Sequence, residues 1–344
     1  MAVCDNVMLE AWKQVLTLSR LQKGQSVTIL TDNLTHPQTL ATATSAANAM
    51  GATVTRLEFS PVNGEKSLSR DKAAYVGTTP LTGNRVALAA LKASDLVIDL
   101  LLLLFSPEQA EALTGGTKIL LAVEPPDVLA RMVPTQEDRS RVLAGAEKLA
   151  AARHMHVTSA AGTDLHLEMG DYPVQKEYGF VDEPGRWDHW PSGFLATWPN
   201  ESSANGKVVL DRGDILLPIK SYLQAPIEMT IESGYITRME GGVDADLLKD
   251  YIEAFEDKEG YAVSHVGWGL QKRARWSVLG LYGREATLGM DARAFNGNFL
   301  FSLGPNTEAG GTRHTACHID IPMRRCTVEL DGVAVVRDGH VAGD

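Results

Sequence analysis

The chain of 344 residues carries 43 acidic against 32 basic side chains, a formal net charge of −11, with 44% hydrophobic and 22% charged residues. Such a chain folds as a globular protein of a size that usually divides into two domains. With no basic stripe to offset its charge, it is a poor partner for nucleic acid or an anionic membrane. Three widely spaced cysteines, Cys4, Cys317 and Cys326, make neither a disulfide framework nor a CxxC knuckle, and residues 1–10 lack a basic then apolar leader. A reducing cytoplasm is therefore the expected compartment.

Met8, Trp12, Val15 and Leu16 recur at helical spacing and predict a helix that opens the chain. Strand patterns at 26–31, 52–59, 96–104 and 118–123 alternate with helical ones at 37–50 and 85–91. Continuous apolar strands separated by helices predict a mostly parallel sheet covered on both faces. The run 100–105 is far shorter than the roughly 20 residues that span a bilayer and reads as part of a buried strand. Thr31-Asp32-Asn33-Leu34 follows the first strand without the glycines of a dinucleotide turn, and Gly267-Trp268-Gly269 lacks the third glycine of that motif.

Val142, Leu143, Ala146, Leu149 and Ala150 share a helical face within 136–153, after which period-two alternation takes over. The expected boundary lies near residue 155: an α/β domain at 1–155, then an α+β domain at 156–344 rich in antiparallel strands. In the second half Leu247, Leu248, Tyr251, Ile252 and Phe255 form one apolar stripe, a helix that leads toward His265. Residues 171–198 hold seven of the chain's 22 aromatic side chains and read as a Pro-interrupted connection, either a binding wall or a loop packed down by its own side chains.

The sharpest motif is Arg313-His314-Thr315-Ala316-Cys317-His318-Ile319-Asp320-Ile321-Pro322. On a strand, an HxD pair sets an imidazole and a carboxylate side by side, suited to adjacent positions around one metal. His265, in Ser264-His265-Val266-Gly267-Trp268-Gly269, offers a third ligand beside glycines. Two histidines and one carboxylate leave open positions of the kind Fe(II) needs to take a chelating substrate and O2 together, although spacing alone does not single out which distant histidine completes such a set. His36, His154, His156, His166 and His340 are assigned no chemistry.

From end to end the chain resembles the 2,5-dihydroxypyridine 5,6-dioxygenase family, with SHVGWG, HTACHID and WDHWPSGFLATWPNESSANG carrying the resemblance. It is more distantly similar to thermophilic metallo-aminopeptidases, which pair an N-terminal α/β domain with a metal-bearing C-terminal one. The resemblance implies one Fe(II) per chain at His265, His318 and Asp320, with 2,5-dihydroxypyridine and O2 as small-molecule partners and N-formylmaleamic acid as product. His189, joined by Leu104, Glu177 and Arg293, is the expected substrate contact, and a homo-oligomer is the expected assembly. The aminopeptidases hold two metals, and Glu201 stands where one of their glutamates would align; a metal-dependent hydrolase is accordingly the alternative, and a binder without catalysis a third class. The enzymes resembled carry a histidine where this sequence has Phe105, the expected place of the base. Its own pattern reads Phe105 as the end of a buried strand.

Overall fold

The computed structural model describes residues 3–60, 79–283 and 286–343. The fold is α/β, with one five-stranded parallel sheet and, among the described residues, antiparallel sheets of eight, five and two strands. Two compact units divide it: unit 1 comprises Met1–Arg139, Glu177–Ser192 and Gly283–Leu288, and unit 2 comprises Ser140–Lys176, Gly193–Tyr282 and Gly289–Asp344. The chain thus changes unit at 139/140 and re-enters unit 1 twice, where the sequence suggests a single boundary near 155. Among the described residues no helix is long and apolar enough to cross a membrane.

Unit 1 runs α1 (Asp5–Leu18), β1 (Ser26–Asp32), α2 (Pro37–Ala49), β2 (Thr53–Phe59), α3 (Arg85–Lys92), β3 (Leu96–Asp99), α4 (Pro107–Thr114), β4 (Lys118–Leu121) and α5 (Pro126–Arg131). Helix α6 (Gln136–Ala151) spans the change of unit. In the second unit β5 (His154–Ser159) and β6 (Asp164–Glu168) follow; β7 (Gln175–Glu177) spans the next change of unit, and β8 (Trp187–His189) lies in the first. The parallel sheet has the order β2-β1-β3-β4-β8, every neighbouring pair being parallel. Leu30, Val97 and Ile119 from its central strands pack with Leu81, Leu91 and Ala112 in one core. Strand order reverses between β1 and β3, the crevice where open α/β sheets usually carry functional loops at the strands' C-terminal ends.

Two expectations are corrected here. Strand β3 stops at Asp99 instead of running to 104, because the fully buried Asp99 carboxylate accepts the backbone N–H groups of Leu101, Leu102 and Leu103 at 2.8, 3.0 and 2.7 Å. The main chain then turns through positive φ at Leu102 (82°) and Phe105 (56°). The apolar run reported burial, which a strand and a tightly folded loop share. The 171–198 segment is likewise not a plain loop: it supplies β7, β8 and β9 (Phe194–Thr197). Strand β8 pairs in register with β4, Ile119 opposite Trp187 and Leu121 opposite His189.

Unit 2 continues with β10 (Asn205–Leu210), β11 (Ile215–Leu216), β12 (Ser221–Tyr222), β13 (Ile227–Glu232), β14 (Tyr235–Gly241), α7 (Val243–Glu253), β15 (Val263–Gly269), α8 (Met290–Arg293), β16 (Phe299–Leu303), β17 (Ile319–Met323), β18 (Cys326–Leu330), β19 (Val333–Arg337) and β20 (His340–Val341). An eight-stranded sheet has the order β14-β13-β10-β6-β5-β18-β19-β20, and a five-stranded sheet the order β17-β16-β15-β9-β7. His265 lies within β15, which is buried along its whole length. Gly267 permits this, since a Cβ there would sit 1.9 Å from the Leu195 carbonyl oxygen on the neighbouring strand.

Candidate active site

Three adjacent strands of the five-stranded sheet build a buried cluster in unit 2. Between the pairs Val263–Leu303 and Val266–Phe301 the register slips by one residue, a bulge that contains Ser264 and His265. Bulges of this kind re-aim a side chain and strengthen the local twist. Ser302 on β16 donates to the His265 carbonyl at 2.7 Å and pairs across the sheet with Asp320 on β17. His318 stands one residue before β17, so the HxD motif enters the strand rather than lying inside it.

The donor atoms of these residues converge. His265 Nε2 is 3.1 Å from His318 Nε2 and 3.1 Å from Asp320 Oδ1, and His318 Nε2 is 3.5 Å from that same oxygen. Metal–ligand bonds of about 2.1 Å set neighbouring ligands roughly 3 Å apart in octahedral and about 3.4 Å apart in tetrahedral geometry, so the spacing fits one ion. Asp320 Oδ1 is buried and, though within ion-pair distance of both imidazoles, makes no directed hydrogen bond. A buried carboxylate oxygen left so is costly unless a cation meets it.

Arg293, at the end of α8, donates from Nε to Asp320 Oδ2 at 2.6 Å. Burial alone would raise the Asp320 carboxyl, but the Arg293 guanidinium and then the two imidazoles hold it well below the usual carboxylate range. Burial would lower His318, and the Asp320 charge carries it above its ordinary value instead. The Trp198 ring meets His265 edge-on at 5.7 Å.

Sequence reading missed how the strand's approach is held. Glu201, which stands where a glutamate of the two-metal aminopeptidases would align, accepts from Asn306 Nδ2 at 2.9 Å, Thr312 N at 3.1 Å and Tyr172 Oη at 3.2 Å. Asn306 Oδ1 in turn accepts Arg313 N at 2.7 Å, and the Arg313 side chain donates to Val263 O at 2.7 Å. The loop that delivers His318 is thus tied to the strand that carries His265. Among the described residues the groups of three metal-donor side chains are His265, His318 and Asp320, and His156, Asp164 and His166; Glu201 is in neither.

The other residues singled out from the sequence belong to unit 1. Phe105 is half-buried, and its N–H donates to Gln109 Oε1 at 2.8 Å. Leu104 packs beside Leu102, Leu121 and Leu288. Glu177 and His189 are both buried, and Ser192 Oγ donates to Glu177 Oε2 at 3.2 Å. Between them sits Asp188, fully buried, accepting the N–H groups of Tyr178, Gly179 and His189 at 3.0, 3.0 and 2.7 Å and paired with Arg186. Burial pushes the Asp188 carboxyl up, against the pull of Arg186. The only sequence signal for this anchor was an acid enclosed by aromatic residues in Trp187-Asp188-His189-Trp190.

Fold and site together define a class: a parallel-sheet unit combined with an antiparallel unit that bears a buried His-His-Asp cluster. The 2,5-dihydroxypyridine 5,6-dioxygenase family profile matches residues 7–343, and the chain belongs to that family. It is 52% identical over 341 residues to the 2,5-dihydroxypyridine 5,6-dioxygenase of Pseudomonas putida KT2440, covering 99% of this chain and 97% of that protein. The solved structure of the Pseudomonas putida KT2440 dioxygenase superimposes with a TM-score of 0.97 over 100% of this chain and 99% of that one. AmpT from Thermus thermophilus, 14% identical, shares the fold with a TM-score of 0.64 over 98% of this chain and 99% of its own.

Proposed function

We propose that this chain is a dioxygenase that opens 2,5-dihydroxypyridine between ring carbons 5 and 6, giving N-formylmaleamic acid, with one Fe(II) held by His265, His318 and Asp320. Family membership supports the reaction. The observation that carries the metal assignment is the convergence of two imidazole nitrogens on a buried carboxylate oxygen that has no hydrogen-bond partner. Ferrous iron held there would supply open coordination positions and one-electron chemistry toward O2. Both atoms of O2 enter the product, so no external reductant is required.

The protein's own groups set the conditions. Arg293 keeps Asp320 ionised and fixes its Oδ2, which leaves Oδ1 directed at the imidazoles. His189 and Glu177 offer hydrogen-bonding groups, Leu104 an apolar surface and Arg293 a cation, the chemistries that a hydroxypyridine calls for. Position 105 is where a base would take the hydroxyl proton, and a phenyl ring cannot, so turnover is slow in this chain. The left-handed backbone at Phe105 suits that reading, because histidine is enriched at such positions while bulky residues are rare there.

A two-metal hydrolase is disfavoured by the engagement of Glu201 with Asn306, Thr312 and Tyr172. The test is anaerobic reconstitution with Fe(II) followed by addition of substrate and O2. One iron per chain and O2 uptake matching loss of the ring absorbance are expected, and His318→Ala should abolish both iron retention and turnover. Iron retained at the wild-type level in that variant would remove His318 from the ligand set.

A further inference from the structure

We propose that the eight-stranded sheet of unit 2 carries a second, peripheral metal site for a divalent ion of the imidazole-preferring class, zinc above all, formed by His156, His166 and Asp164. The strand register builds it: on β5 and β6 His156 stands directly opposite His166, and their rings stack at 4.1 Å with an interplanar angle of 9°. Both rings turn the same nitrogen toward one atom, His156 Nε2 lying 2.8 Å and His166 Nε2 3.3 Å from Asp164 Oδ1. A tetrahedral ion with bonds of about 2.0 to 2.1 Å separates its ligands by roughly 3.4 Å, close to this spacing.

A second carboxylate stands behind the first histidine. Glu329 on β18 is in register with His156, and its Oε2 is 3.9 Å from His156 Nδ1. A ligating imidazole commonly directs its other ring nitrogen at a carboxylate, which fixes the tautomer and raises its basicity. The nearest cross-strand cation does not neutralise the cluster, since Lys207, opposite Asp164 on β10, directs its ammonium to Glu228 at 3.3 Å. The two carboxylates that flank the imidazoles therefore supply negative charge that favours a cation.

Parallel rings must tilt before both lone pairs meet one point. The side chains are 35% and 65% exposed, which leaves a solvent side toward which the rings can rotate about Cβ–Cγ. The strands that carry the three side chains are already paired and need not move. Coordination would staple β5 to β6 and stabilise unit 2 by mass action without entering the proposed reaction.

Equilibrium dialysis against low-micromolar ZnCl2 tests this on three proteins: wild type, His156→Ala/His166→Ala and His265→Ala/His318→Ala. Two zinc ions are expected on the wild type and one on each variant. The thermal midpoint of His265→Ala/His318→Ala should still rise with zinc, and that rise should vanish when His156 and His166 are also replaced. Equal stoichiometry in wild type and His156→Ala/His166→Ala would overturn the proposal. Loss of zinc confined to the His265→Ala/His318→Ala protein would also overturn it while leaving the buried cluster intact.

Discussion

Two loops, one in each unit, are each pinned by a single carboxylate, and they differ in how that carboxylate is used. After β3, Asp99 is fully buried and gathers N–H groups two to four residues ahead of it. The loop after β16 is held from outside: Glu201, exposed between β9 and β10, gathers groups from Asn306 and Thr312, more than one hundred residues away. The first device is local and bends the chain; the second is long-range and positions a loop already bent. A buried acceptor of three otherwise orphaned donors is hard to replace, whereas an exposed one competes with water at every contact.

The comparison is broken most forcefully at the end of the first loop. Phe105→His should raise the turnover number roughly 100-fold to 10,000-fold, about 3 to 5 kcal/mol of barrier, if the β3 loop exists to present a base. The gain should carry an acidic limb with an apparent pKa of about 6 to 7, as expected of imidazole. Single-turnover ring loss at matched iron loading decides it, and equal rates in the two proteins would make position 105 a packing position only.

A smaller effect is expected at the anchor itself. Asp99→Ala leaves three buried N–H groups without that acceptor and should cost about 2 to 4 kcal/mol, read as a lower midpoint in urea. A loss below about 1 kcal/mol would mean that the loop finds other acceptors and that Asp99 is no anchor.

Glu201→Gln should be the mildest. The Asn306 hydrogen bond, followed by the Thr312 N–H, holds the Glu201 carboxyl down at about 2 against an ordinary 4.5. A depressed folded-state value contributes stability that is present above the ordinary value and is lost as pH falls through about 2. Because the group is largely exposed, the contribution is at most about 1 kcal/mol. Melting curves of the two proteins should differ by about 1 to 3 °C at pH 7 and converge as the pH drops below 4.5. A difference that persists unchanged into that acidic range would place the effect in the neutral hydrogen bonds rather than in the charge.

What the sequence disclosed follows the same division between local and distant. The alternation of 26–31, 37–50 and 85–91 was legible because periodicity and helix-start chemistry are written within a few residues, as where His36 caps α2 by accepting Gln38 N. His318 and Asp320 were legible as a pair because two residues of spacing suffice to put them on one side. The bulge at His265 was not, since a register slip depends on the partner strand β16. Nor was the adjacency of His156 and His166, ten residues apart, which the hairpin turn decides. The apolar 100–105 run misled for a physical reason: hydrophobicity records exclusion from water and is silent on how the backbone satisfies its own donors.

The return of the chain to the first unit bears on the order of biosynthesis. When residues 1–155 have left the ribosome, four of the five parallel strands exist but the outer edge of β4 is bare. Its partner arrives only with β8, whose flanking residues Arg186 and Trp190 close that edge by accepting Ile119 N at Arg186 O and donating Trp190 N to Leu121 O. Until then the nascent sheet presents an apolar, unprotected border to every other chain in the polysome. Truncation before residue 190 should therefore yield an associating fragment rather than an autonomous N-terminal domain.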